Sequence, residues 1–139
     1  MVIQRWQSLL LFVSLVLMSI FSVSNYATIY SDGGNTIINA SANTGYWIFN
    51  ILIVLVLLVS IFLFKKLNVQ KFFVCLGIVM MGTTAIWGYN YLHQLAGEGD
   101  VVKLGFSWIL LIVAFGLSII SFFCIGADQK LLKSYDRLR

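Results

Sequence analysis

Residues 104–127 read LGFSWILLIVAFGLSIISFFCIGA, a run without a single Asp, Glu, Lys or Arg. At about 1.5 Å rise per residue, a helix of this length crosses the roughly 30 Å hydrocarbon core of a bilayer. Three further runs of the same kind lie upstream, at 6–26, 46–64 and 72–92. Together they occupy most of a 139-residue chain that is 60% hydrophobic and 10% charged, too few charges to clothe a soluble globule. The pattern predicts an all-α membrane protein: an antiparallel four-transmembrane-helix bundle forming a single domain over 1–139, with a basic tail at 128–139. The connections are short, so consecutive helices are expected to be antiparallel neighbours.

Charge sets an expected orientation. Arg5 precedes the first run, Lys65, Lys66 and Lys71 separate the second from the third, and Lys130, Lys133, Arg137 and Arg139 follow the fourth. Only Lys103 falls on the other side, which also holds Asp32, Glu98 and Asp100, so the two faces carry +6 and −2. Basic residues flanking spans stay in the cytoplasm, which places both termini and the middle loop there, in the inner (cytoplasmic) membrane. The basic balance is thus a topology signal; a nucleic-acid site needs a concentrated basic groove with stacking aromatics, and none is present. Tyr26, Tyr30, Tyr46, Trp47, Trp87, Tyr89, Tyr91 and Trp108 gather toward the outer interface, with Trp6 and Tyr135 at the inner one. Such an aromatic belt is expected to set depth and tilt.

The first outer loop carries Thr28-Ile29-Tyr30 and Thr36-Ile37-Ile38 on either side of Asp32-Gly33-Gly34-Asn35, which reads as a short β-hairpin. A lone hairpin is marginal in water, and Val101-Val102 in the second outer loop is the candidate for a third strand. The tail repeats Leu131, Leu132, Tyr135 and Leu138 at three- and four-residue steps, with Lys130, Lys133 and Arg137 largely off that stripe. This is a basic amphipathic helix suited to the inner membrane surface.

Chemistry is conspicuous by its scarcity. The run interiors carry no carboxylate or basic group of the kind that proton relays and ion paths need. That speaks against a proton-coupled exporter. His93 stands alone, and a metal or haem site needs more ligands. Cys75 and Cys124 are far apart in sequence, face a reducing compartment and are expected to be buried small apolar groups. No enzyme activity, cofactor or metal is expected. Small residues, Gly77, Gly82 and Gly88 in the third run and Ala114, Gly116, Ser118 and Ser121 in the fourth, are read as close helix contacts. Arg5 is a candidate partner for Asp128 or Asp136, pinning the two termini together.

Both ends of the chain resemble a family of small bacterial membrane proteins found in Bacteroidota, domain-of-unknown-function family 4293. Its members open with M-I-Q-R and close with a D-E-K-L…S-x-D-R-L-R segment. Here the opening is Met1-Val2-Ile3-Gln4-Arg5 and the close runs Asp128-Gln129-Lys130-Leu131-Leu132-Lys133-Ser134-Tyr135-Asp136-Arg137-Leu138-Arg139. The departures are the extra Val2, Gln129 in place of an acid, and a chain without proline. The resemblance implies a four-span protein of the cytoplasmic membrane; the family has no assigned activity, so no active site is transferred.

The leading expectation is a non-catalytic inner-membrane protein, a scaffold or accessory subunit. Its cytoplasmic ends would contact a cytoplasmic or membrane protein partner or anionic membrane lipids through Arg5, Lys130, Lys133, Asp136, Arg137 and Arg139. The alternative is a small transporter or channel-like protein for an apolar or weakly polar solute, with Asn50, Thr83, Thr84 and His93 as its polar contacts.

Overall fold

The structure, a computed structural model, describes residues 2–138, with side chains from Trp6 to Leu138. Four helices, α1 (Val2–Val23), α2 (Thr44–Phe62), α3 (Leu67–Leu95) and α4 (Ser107–Arg137), are each long and apolar enough to cross a membrane. Three strands, β1 (Asn25–Ser31), β2 (Gly34–Asn39) and β3 (Val101–Leu104), form a small sheet in the order β2-β1-β3.

The helices close into a ring: α1 packs on α2 and α4, and α3 on α2 and α4. Cross-contacts give the directions. Gln7 meets Asp128 while Ser14 meets Ser118, so α1 and α4 are antiparallel. Asn68 meets Gln129 while Met81 meets Ser118, so α3 and α4 are antiparallel too. Gly77 lies against Leu57 and Gly88 against Tyr46, which runs α2 against α3. The start of α1, the α2–α3 turn and the end of α4 therefore share one end of the ring, and the sheet sits at the other.

Burial follows a seven-residue repeat. The inward residues are Tyr46, Asn50, Ile53, Leu57 and Ser60 on α2, and Gln70, Val74, Gly77, Met81, Thr84, Gly88 and Leu92 on α3. On α4 they are Ser107, Leu111, Ala114, Ser118, Ser121, Ile125 and Asp128. Alternating steps of three and four keep one stripe facing its neighbours when helices cross at a shallow angle. The stripe is unusually polar, whereas large apolar side chains such as Phe12, Phe62, Ile86, Ile112 and Phe123 are exposed around the outside. Polar groups inside and hydrocarbon outside invert the arrangement of a water-soluble bundle.

The hairpin forms where expected and gains its third strand. Ala27 to Ser31 pair antiparallel with Ile38 to Gly34, and Ala27 to Tyr30 with Leu104 to Val101. Gly34, at φ 130°, supplies the left-handed backbone that lets the chain reverse after Asp32-Gly33. At the start of α2, Asn43 Oδ1 accepts from the amides of Gly45 (3.1 Å) and Tyr46 (3.3 Å), satisfying donors that a helix start leaves open.

Several boundaries move from their sequence positions. The chain is not all-α, because the sheet takes Tyr26 from the first apolar run and Leu104 from the fourth. α1 stops at Val23, and pairing with β2 and β3 carries the chain off in extended form from Asn25. The tail is helical as expected, and it continues α4 to Arg137 without a break. α3 and α4, at 29 and 31 residues, are about 43 and 46 Å long and overshoot a hydrocarbon core.

Candidate functional site

Two regions collect the polar side chains: the interior stripe and the end where the termini meet. In the stripe, α1 and α4 are sewn together. Ser14 Oγ lies 2.8 Å from Ser118 Oγ and 3.0 Å from the Ala114 carbonyl oxygen. Ser121 Oγ donates to the Gln7 carbonyl oxygen at 3.5 Å, and Gln7 Nε2 donates to Asp128 Oδ2 at 2.5 Å. Gln7 and Asp128 are buried. Asp128, expected as a partner for Arg5, accepts from the Gln7 amide; the Arg5 side chain lies outside the described residues. The small residues Ala114, Ser118 and Ser121 do allow close contact, and it is made with α1.

Nearer the sheet, Tyr26 and Tyr46 are fully buried and stacked, with ring centroids 5.6 Å apart and planes 19° from parallel. Trp87 meets Tyr46 edge-on at 5.8 Å, and Trp108 lies 6.4 Å from Tyr26. The interface belt expected of these residues is thus in part a plug: Tyr26 and Tyr46 fill the ring's end, while Tyr30, Trp47 and Tyr89 remain on the exterior. Trp108 Nε1 donates to the Tyr26 carbonyl oxygen at 2.9 Å, tying the plug to the sheet.

The polar residues considered for a solute path divide. Asn50 and Thr84 are buried below the plug; Asn50 Nδ2 donates to the Tyr46 carbonyl oxygen at 2.9 Å, and Tyr46 Oη donates to that of Thr84 at 3.5 Å. Asn50 Oδ1, Thr84 Oγ1 and Tyr26 Oη have no hydrogen-bond partner among the described residues. Thr83 faces outward and donates to the Val79 carbonyl oxygen at 3.0 Å. His93 is exposed with its ring against Tyr89 at 4.5 Å. Cys75 is exposed, not buried, and Cys124 is half-buried; both are free thiols. Among the described residues, no three His, Cys, Asp or Glu side chains come together as a metal would require.

Burial, reinforced by the neighbouring Tyr91 phenol, pushes Tyr26 from 10.0 up to about 12. A raised folded-state pKa stabilises the fold fully below pH 10 and loses that contribution as pH climbs to about 12. Thermal melts in detergent should therefore separate wild type from Tyr26→Phe only above pH 10, with the wild type falling more steeply. Parallel curves across that window would show that the phenol is not the titrating group.

At the opposite end, six described basic residues, Lys65, Lys66, Lys71, Lys130, Lys133 and Arg137, lie on the α2–α3 turn and on the adjoining ends of α3 and α4. Lys103 stands alone on the sheet. Of the expected contact residues, Lys130, Lys133, Asp136 and Arg137 are exposed along the last turns of α4, while Arg139 lies outside the described residues. Leu131, Leu132, Tyr135 and Leu138 are 49%, 51%, 68% and 85% exposed, so the apolar stripe of the tail packs on little of the chain itself.

A closed ring of four membrane-length helices, polar within and capped by a three-stranded sheet, describes the class of protein. The chain belongs to the family described as a domain of unknown function (DUF4293), whose model matches residues 3–138. No curated protein matches it.

Proposed function

We propose that this is a non-catalytic multi-pass protein of the inner membrane, a scaffold or accessory subunit that meets a partner protein or the lipid surface through its cytoplasmic end. The observation that carries this reading is the last stretch of α4, a basic helix whose apolar stripe is left uncovered by its own fold. The inverted burial supports four true spans, since exposed Phe and Ile side chains around the ring call for lipid. The lysines at the termini end support its cytoplasmic placement. The interior supports a structural role, because most of its hydroxyls and amides are spent on carbonyls and on one another.

A photo-crosslinker at Tyr135 tests the contact. The expected result is a discrete protein adduct or an anionic-lipid adduct that Leu131→Glu with Leu138→Glu abolishes. Crosslinking no stronger than that of a scrambled tail would defeat the proposal. A cysteine at Ser134, in a background with Cys75→Ser and Cys124→Ser, should be labelled only from the cytoplasmic side.

A second reading, passage of a weakly polar solute, draws on the unpartnered Asn50 Oδ1 and Thr84 Oγ1. Asn50→Leu with Thr84→Val separates the two: the scaffold reading expects crosslinking from Tyr135 unchanged, whereas a solute path through these residues would lose its flux.

A further inference from the structure

The seam between α3 and α4 at the termini end has a chemistry of its own. Gln129 Nε2 donates to Asn68 Oδ1 at 3.0 Å, bridging the start of α3 to the extended part of α4. A groove lies on each side of this bridge. One, of about 440 Å³, is bordered by Lys65, Lys66 and Lys133. The other, of about 430 Å³, is bordered by Lys71, Lys130 and Lys133 at its mouth and by Phe122, Phe123 and Gly126 along its wall. Five lysines thus surround one hydrogen bond, and among the described residues no carboxylate lines either groove. Asp128, the nearest acid in sequence, is turned away toward α1, where Gln7 holds it.

The second groove is amphipathic by construction. Lys71 Nζ lies 4.8 Å from the centroid of the Phe122 ring, and 3.4 Å from where a Cβ on Gly126 would stand. The missing side chain at Gly126 leaves room for Lys71 to reach across from α3, and the ring face holds its charge there. Beside these lysines the groove wall is exposed hydrocarbon, with Phe123 68% exposed on α4. Clustered like charges repel unless an anion lies among them, and the ligand that also needs the apolar wall is one with an acyl chain.

The geometry points to a binding site for an anionic phospholipid between α3 and α4. The lipid phosphate sits among Lys71, Lys130 and Lys133, and an acyl chain lies along Gly126 and Phe123. The site rests on the reading that this end faces the cytoplasmic leaflet, and it specifies what the basic end recognises there. A free anion gains nothing from the wall, and a zwitterionic lipid gains little from three lysines.

The test titrates the purified full-length protein in detergent with phosphatidylglycerol and with phosphatidylcholine of the same chains, read by native mass spectrometry. Phosphatidylglycerol should bind and phosphatidylcholine should not. Each lysine removed should weaken binding about fivefold, so Lys71→Gln/Lys130→Gln/Lys133→Gln should lose about a hundredfold, with Lys103→Gln unchanged. Gly126→Leu fills the wall while keeping every charge, and should cost at least about tenfold by the same affinity scale, with an unchanged thermal melt. Equal binding of the two lipids, or a triple variant that binds like wild type, overturns the site. So does displacement of phosphatidylglycerol by millimolar inorganic phosphate, which would reduce it to an anion site. Failure of cytoplasmic labelling at Ser134→Cys would instead strike the orientation, a distinct result because lipid binding in detergent does not depend on it.

Discussion

Replacing Gln7 with Leu should lower stability in detergent by about 2–3 kcal/mol, and adding Asp128→Leu should recover most of that loss. The single change removes the amide that donates to Asp128 Oδ2 and leaves a buried carboxylate facing a leucine. An unmade hydrogen bond to a buried polar group costs more than the bond contributes when made, because the group has been taken out of water. The double variant removes both polar groups and replaces them with hydrocarbon of similar size. The expected signature in thermal melts is therefore non-additive: one substitution harmful, two nearly neutral. Additive losses would mean that Gln7 and Asp128 act independently and do not clamp α1 to α4.

Gly105→Ala should be at least as damaging, by about 3 kcal/mol or through failure to assemble. A Cβ there would stand 2.9 Å from the Asn25 carbonyl oxygen and 3.2 Å from the Tyr26 carbonyl carbon and oxygen. These are backbone atoms held by the sheet, so no side chain can swing aside to make room. The same junction is tied by Gly105 N–H to the Tyr26 carbonyl oxygen at 2.9 Å and by Ser107 Oγ to that of Asn25 at 2.6 Å. Prising it apart removes Trp108 from its bond to Tyr26 and loosens the tyrosine stack, which near-ultraviolet circular dichroism reports directly. Gly116→Ala is the matched control, since nothing lies within 4 Å of a Cβ at that position. Equal effects at the two glycines would refute the close-approach argument.

Much of the fold was legible from local pattern. Uncharged runs of twenty residues leave little besides a membrane-length helix, and Asp32-Gly33-Gly34 between β-branched segments announces a reversal. Less was legible at the candidate site. Gln7 reads as an ordinary residue near a terminus, and Asp128 as the first residue of a solvated tail. Their pairing depends on the register of α1 against α4. A signal was nonetheless present. Gln70, Gly77 and Thr84 recur every seven residues on α3, as do Tyr46, Ile53 and Ser60 on α2 and Ser107, Ala114, Ser121 and Asp128 on α4. In a chain whose exterior is hydrocarbon, a heptad of small and polar residues marks the inward face. The tyrosines misled for a related reason: Tyr26 and Tyr46 suit either an interface or a core, and only the sheet's position above the ring decides between them.

By itself, the order of residues determined the number of helices, the hairpin and the gathering of lysines on alternate connections. These follow from backbone geometry and hydropathy, which act over one turn or one strand. Tertiary structure alone decided that Asp128 turns to Gln7 and that no carboxylate among the described residues lines the grooves between five lysines. It alone brought Lys71 across to Phe122 over a glycine fifty-five positions later in the chain. Contacts of that kind depend on how two helices are rotated and shifted against each other, and that is set by the packing of the whole ring.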